Sequence, residues 1–179
     1  MNSVEKFRKD VRPVLQKQLG VKNINAVPKL EKVIVAVGIW SLATRKSLKD
    51  FDEFDKNLMK ISGQKPRMIK SKKSISNFKL REGLPVMLQV TLRKTKAHDF
   101  VDRFVKLVLP RMRDFSGLSD KSFDPQANYS IWIQNYNIFP ELALDDITIP
   151  MGLQITLVTN TKNVAKSKAL LQALGFLFK

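Results

Sequence analysis

Apolar residues recur at three- and four-residue steps in four stretches of the chain, and each stretch predicts an amphipathic helix. Val4, Phe7, Val11, Val14 and Leu15 form the first, bent at Pro13 and closed by Gly20. Leu48, Phe51, Phe54, Leu58 and Ile61 share a face in the second, with Gly63 and Pro66 marking its stop. The third carries Phe100, Val101, Phe104, Val105 and Val108 before Pro110, with Thr95 as its N-cap and His98 as a solvated or capping side chain in its first turn. Val164, Leu170, Leu171 and Leu174 form the last, which ends at Gly175. Between the helices the period changes to two. Val86, Leu88, Val90 and Leu92 alternate with Met87, Gln89, Thr91 and Arg93, which gives a strand with one dry and one wet side. A β-branched run at 32–37, ended by Gly38, and segments at 66–70, 129–134 and 154–159 complete the strands. Residues 71–79 read as a lysine-bearing loop, 111–125 as irregular and 135–150 as a long acidic connection.

The order α, β, α, β, β, α, β, β, α predicts an α+β fold, a mainly antiparallel sheet with helices packed on one face and the other face free. No repeat or linker divides the chain, so residues 1–179 read as a single domain.

Charge gives this scaffold a direction. The chain holds 32 Lys and Arg against 16 Asp and Glu, a formal charge of +16. Residues 1–100 contain 23 of the cations and nine of the anions, and residues 56–81 carry nine cations and no anion. Residues 122–161 are the reverse, with Asp124, Glu141, Asp145 and Asp146 and no Lys or Arg. Such crowding of like charge opposes compaction, so a polyanion that relieves it is the expected partner. Gln89, Thr91 and Arg93 on the wet side of a strand suit 2′-hydroxyls and phosphates, which favours RNA over DNA.

The same composition removes most chemistry. With no Cys and a single His, thiol catalysis, disulfides and zinc sites lack their ligands. No phosphate-cradling glycine loop, nucleophile elbow or dinucleotide fingerprint occurs, and Asp145 and Asp146 point apart in an extended loop. The chain is therefore expected to be no enzyme and to need no cofactor or metal. No apolar run long enough to span a bilayer and no secretory leader is found, which predicts a cytosolic protein. A nuclease would need metal ligands that are missing, and a membrane adaptor would need its lysines on one amphipathic helix. Phe78, Tyr129, Trp132 and Tyr136 lie outside the helical stripes, and packing is the expected role of all four over base stacking.

Several strings then converge. Gly63-Gln64-Lys65-Pro66, Lys72-Lys73-Ser74-Ile75, Phe78-Lys79-Leu80-Arg81-Glu82-Gly83, Thr91-Leu92-Arg93, Leu109-Pro110-Arg111, Lys121-Ser122-Phe123-Asp124, Asn128-Tyr129 and Ile138-Phe139-Pro140-Glu141 occur in order along nearly the whole chain. Jointly they resemble the ribosomal large-subunit protein L-five family in its bacterial form. The resemblance implies a structural protein of the central protuberance that binds 5S rRNA, with large-subunit rRNA and neighbouring ribosomal proteins around it. It implies rRNA contacts at Gln64, Lys65, Thr91 and Arg93. It also implies a basic loop that approaches peptidyl-site tRNA through Lys72, Lys73, Lys79 and Arg81. Arg111, Arg113, Glu141, Asp145 and Asp146 match the part that faces a basic small-subunit head protein in an intersubunit bridge. The sequence departs from the family pattern at Ala36-Val37-Gly38-Ile39-Trp40, where Asn-Met-Gly-Val-Gly is usual, and at Pro125-Gln126-Ala127, where Gly-Arg-Gly is usual.

Overall fold

The protein is seen in a computed structural model that describes residues 3–45, 51–112, 115–142 and 149–179. Leu48, Arg113, Asp145 and Asp146 lie outside the described residues.

Five strands, β1 (Leu30–Gly38), β2 (Arg67–Lys70), β3 (Pro85–Arg93), β4 (Tyr129–Ile133) and β5 (Leu153–Thr159), form one sheet in the order β2-β3-β1-β5-β4. The strands run antiparallel. Arg67 pairs with Gln89 and Ile69 with Met87, while the N–H of Ile39 just past β1 donates to Val86 O at the start of β3 (2.8 Å). Asn160 N past β5 donates to Lys29 O before β1 (3.2 Å). With α1 (Ser3–Lys6), α2 (Arg12–Gln18), α3 (Trp40–Arg45), α4 (Asp52–Ser62), α5 (Lys94–Arg103) and α6 (Val164–Ala173), this is the α+β arrangement that the pattern predicts. Central β1 buries Val35, Ala36 and Val37 in succession. In β3 Leu88, Val90 and Leu92 of the expected dry set are buried and Val86 is only half-buried; Met87, Gln89 and Thr91 opposite are half-buried and Arg93 is exposed.

The chain divides into two compact units. One comprises Met1–Val33, Leu92–Ile131 and Thr156–Lys179. Its first helix is interrupted by a π turn at Phe7–Val11, so that the wider turn absorbs the clash of the Pro13 ring with the preceding turn. The interruption turns Val14 outward to 60% exposure, against the expected stripe, while Phe7 and Leu15 pack with Val27, Ala169 and Leu170. Each such fully buried Leu contributes roughly 1.5–3 kcal/mol of transfer free energy.

The third helix departs from expectation at two residues. Thr95 is not its cap: β3 passes into α5 without a loop, Arg93 holds the cap position with extended backbone and no side-chain bond, and Lys94 turns the chain at φ 51°. Nor is His98 solvated. It is 8% exposed, with its ring 5.2 Å from that of Phe7. Burial pushes its pKa below the ordinary value, Asp99 opposes the shift and Arg8 adds to it.

The other unit comprises Ile34–Thr91 and Trp132–Ile155. In it Phe54, Leu58 and Ile61 of α4 close with Val37, Leu153 and Tyr136 around a cavity of about 10 Å³, room for a single water. Gly63 ends α4 at φ 67°, in the left-handed region that a Cβ disfavours, with its N–H on Met59 O (2.8 Å).

Candidate nucleic-acid interface

Residues 71–84 form a hairpin whose backbone is held by its own bonds. Ser71 N donates to Leu84 O (2.8 Å) and Gly83 N to Ser71 O (3.0 Å), and Ile75 and Leu80 exchange bonds of 2.8 and 3.1 Å. Two hydroxyls add to the frame: Ser71 Oγ donates to Lys73 O (2.6 Å) and Ser74 Oγ to Leu80 O (3.1 Å). A short 3₁₀ turn, Ser76–Phe78, ends at Lys79 with φ 53°. Every polar side chain in this frame is neutral. Lys72, Lys73, Lys79 and Arg81 are all exposed, and among the described residues none has a salt-bridge partner. The loop is thus a small rigid scaffold with its cations facing water, which lowers the ordering cost of binding an anion.

The aromatic residues divide in a way their sequence positions do not reveal. Tyr129 and Tyr136 are core residues, as expected; burial pushes both phenols up, so they remain neutral and donate to Ser119 O (2.9 Å) and Ile149 O (3.0 Å). Phe78 and Trp132 are not core, being 56% and 62% exposed. Trp132 lies across Gly152, where an added Cβ would collide with its ring. Trp40 of α3, a helix the sequence pattern did not signal, meets Phe78 nearly edge-on at 5.7 Å and 72°.

The residues expected to touch rRNA are partly assembled. Gln64 is pinned behind α4: Ser62 Oγ donates to Gln64 O (2.9 Å) and accepts from Gln64 N (3.3 Å). Its amide reaches Thr91 O at 3.5 Å, so the structure brings Gln64 and Thr91 together. Lys65 is exposed beside Gln64, and Arg93 is exposed two residues along β3 from Thr91. Of the expected bridge residues, Arg111 is exposed in a 3₁₀ turn (Leu109–Arg111) and Glu141 is half-buried. Arg113, Asp145 and Asp146 are outside the described residues.

Asp124, one of the acids of the cation-free stretch 122–161, has an internal role. Its Oδ1 accepts from the N–H groups of Gln126 (2.9 Å) and Asn128 (2.7 Å), and its Oδ2 from Asn128 Nδ2 (2.9 Å). This carboxylate fixes the turn in which Ala127 is buried at φ 59°, at the position where the resembled family carries glycine. Among the described residues no group of three or more His, Cys, Asp or Glu comes together to hold a metal, and no helix is long and apolar enough to cross a membrane.

Comparison with known proteins fits this picture. Residues 23–81 match the family described as ribosomal protein L5, and residues 85–178 match the C-terminus of the same ribosomal family. Among curated relatives, the large ribosomal subunit protein uL5 of Caldanaerobacter subterraneus subsp. tengcongensis is 43% identical over 97% of this chain and 96% of its own. The uL5 proteins of Natranaerobius thermophilus (42%; 98% and 97% covered) and Thermosipho africanus (41%; 98% and 96%) are similar to it over the same span.

Proposed function

The chain belongs to the ribosomal protein L5 family and is a structural protein of the large ribosomal subunit rather than an enzyme, and from that premise we propose that it binds 5S rRNA and offers its basic loop to peptidyl-site tRNA. The observation that carries the reading is the loop at 71–84: four exposed cations on a frame that uses only neutral groups for its own support. Phosphates are the ligands such an array suits, because each neutralised phosphate releases counterions. Lys72, Lys73, Lys79 and Arg81 are the tRNA contacts in this reading. Gln64, Lys65, Thr91 and Arg93 face 5S rRNA, the amide and hydroxyl taking ribose and phosphate oxygens and the guanidinium forking onto phosphate. Arg111, Arg113, Glu141, Asp145 and Asp146 form the intersubunit bridge with a basic head protein, supported by the absence of cations from residues 122–161.

The test uses the full chain and assembled ribosomes. Arg93→Ala is expected to weaken 5S rRNA capture and to lower the log–log salt slope by about one unit. Lys72→Glu with Lys73→Glu is expected to spare 5S rRNA capture and impair tRNA positioning on ribosomes. If Arg93→Ala left both affinity and slope unchanged, the rRNA site would have to move off β3; if the lysine pair chiefly abolished 5S capture, the loop assignment would be reversed.

A further inference from the structure

We propose that the Phe78 ring, braced by Trp40, is a stacking platform for one unpaired nucleobase of the RNA held by the basic loop. The inference rests on the reading of that loop as an RNA contact and adds a base-directed element to it. Phe78 is 56% exposed in a loop closed by backbone bonds, with Leu80 and not Phe78 as its buried apolar residue. Its position is fixed. Phe78 N donates to Ile75 O (3.3 Å), Lys79 N to Ser76 O (2.9 Å), and the near-perpendicular Trp40 ring can cover only one of the two Phe78 faces. Exposed Ile75 extends the apolar patch, while Lys79 and Arg81 follow directly in the chain. An aromatic face set among cations is the arrangement by which proteins hold a base and its phosphates together, tolerantly of sequence. The nine cations and no anion of residues 56–81 favour RNA over a protein for the covering group.

The full chain carrying Trp132→Phe keeps Trp40 as its single tryptophan and so as a local reporter. The probes are an RNA octamer of adenosines and an octamer with the same backbone and no bases. The adenosine octamer is expected to quench Trp40 emission and to bind about fivefold or more tighter than its abasic counterpart. Phe78→Leu should remove that difference without altering the salt slope, and Phe78→Tyr should restore it. If Phe78→Leu leaves the ratio between the octamers unchanged, or loosens the chain from ribosomes without affecting either octamer, the platform is refuted, the second result pointing to a protein neighbour. If instead Lys72→Glu with Lys73→Glu leaves both octamers bound as before, the loop itself is no RNA contact and the proposed function fails first.

Discussion

Residues 71–84 and residues 119–129 are both short polar excursions supported in part by side-chain oxygens and containing positive φ, yet they use charge in opposite ways. In the first, serine hydroxyls hold the backbone and four cations are left to solvent. In the second, the two carboxylates are used internally. Asp124 satisfies three donors, and Asp120 pairs with Lys168 at 2.6 Å, whose ammonium also lies 5.6 Å from the Phe178 ring centre. Equal formal charges in a sequence therefore differ in availability. A charge supporting its own backbone belongs to the fold, and one beside a neutral frame remains available to a partner.

The largest effect expected from this contrast is on binding. Reversing Lys72 and Lys73 to Glu should cost tens of fold in tRNA affinity near 0.1 M salt by the counterion argument, with unfolding free energy changed by no more than about 0.5 kcal/mol. Filter binding and urea denaturation of the same preparations check both halves. Asp124→Ala should do the reverse, destabilising the protein by about 1–2 kcal/mol while leaving RNA affinity intact, since it strips three charge-assisted bonds from a turn that holds a strained residue. A weakened RNA complex in that variant, with normal stability, would erase the distinction between the two regions.

Smaller effects separate them further. His98 has a folded pKa below its unfolded value, so the unfolded chain binds more protons between the two; the His98 contribution is retained above about pH 6.5 and declines as pH falls through and below it. His98→Gln should flatten this part of the stability–pH profile, and an unchanged profile would show that the imidazole does not titrate with unfolding. At the positive-φ sites, Ala127→Gly should stabilise by up to about 1 kcal/mol by relieving left-handed strain, with no effect on RNA. Lys79→Gly should bring a similar relief at φ 53° yet weaken tRNA binding, because the same change deletes a cation. Thermal melts beside binding assays test that difference in sign.

The strands were legible in the sequence because burial on one side imposes a period of two, as at Leu88, Val90 and Leu92, and the end of α4 was legible because Gly63 occupies a conformation that favours glycine. The π turns at Phe7–Val11 and Phe104–Val108 were not, since one extra residue in a turn shifts the face downstream without leaving a compositional mark, and Val14 faces solvent for that reason. No local signal marks the burial of His98, which comes through Phe7, far away in the sequence. The candidate interface was legible as a cluster of charge. Its rigidity, the pairing of Trp40 with Phe78 and the internal use of Asp124 depend on tertiary neighbours that periodicity does not encode.

The most direct measurement is the salt dependence of tRNA binding by the full chain with and without Lys72→Glu and Lys73→Glu. Removing two cations from their phosphates should lower the slope of log K against log salt by about 1.5 units while the melting curve stays in place. An unchanged slope with a normally folded variant would show that these cations face no phosphate, and would contradict the account.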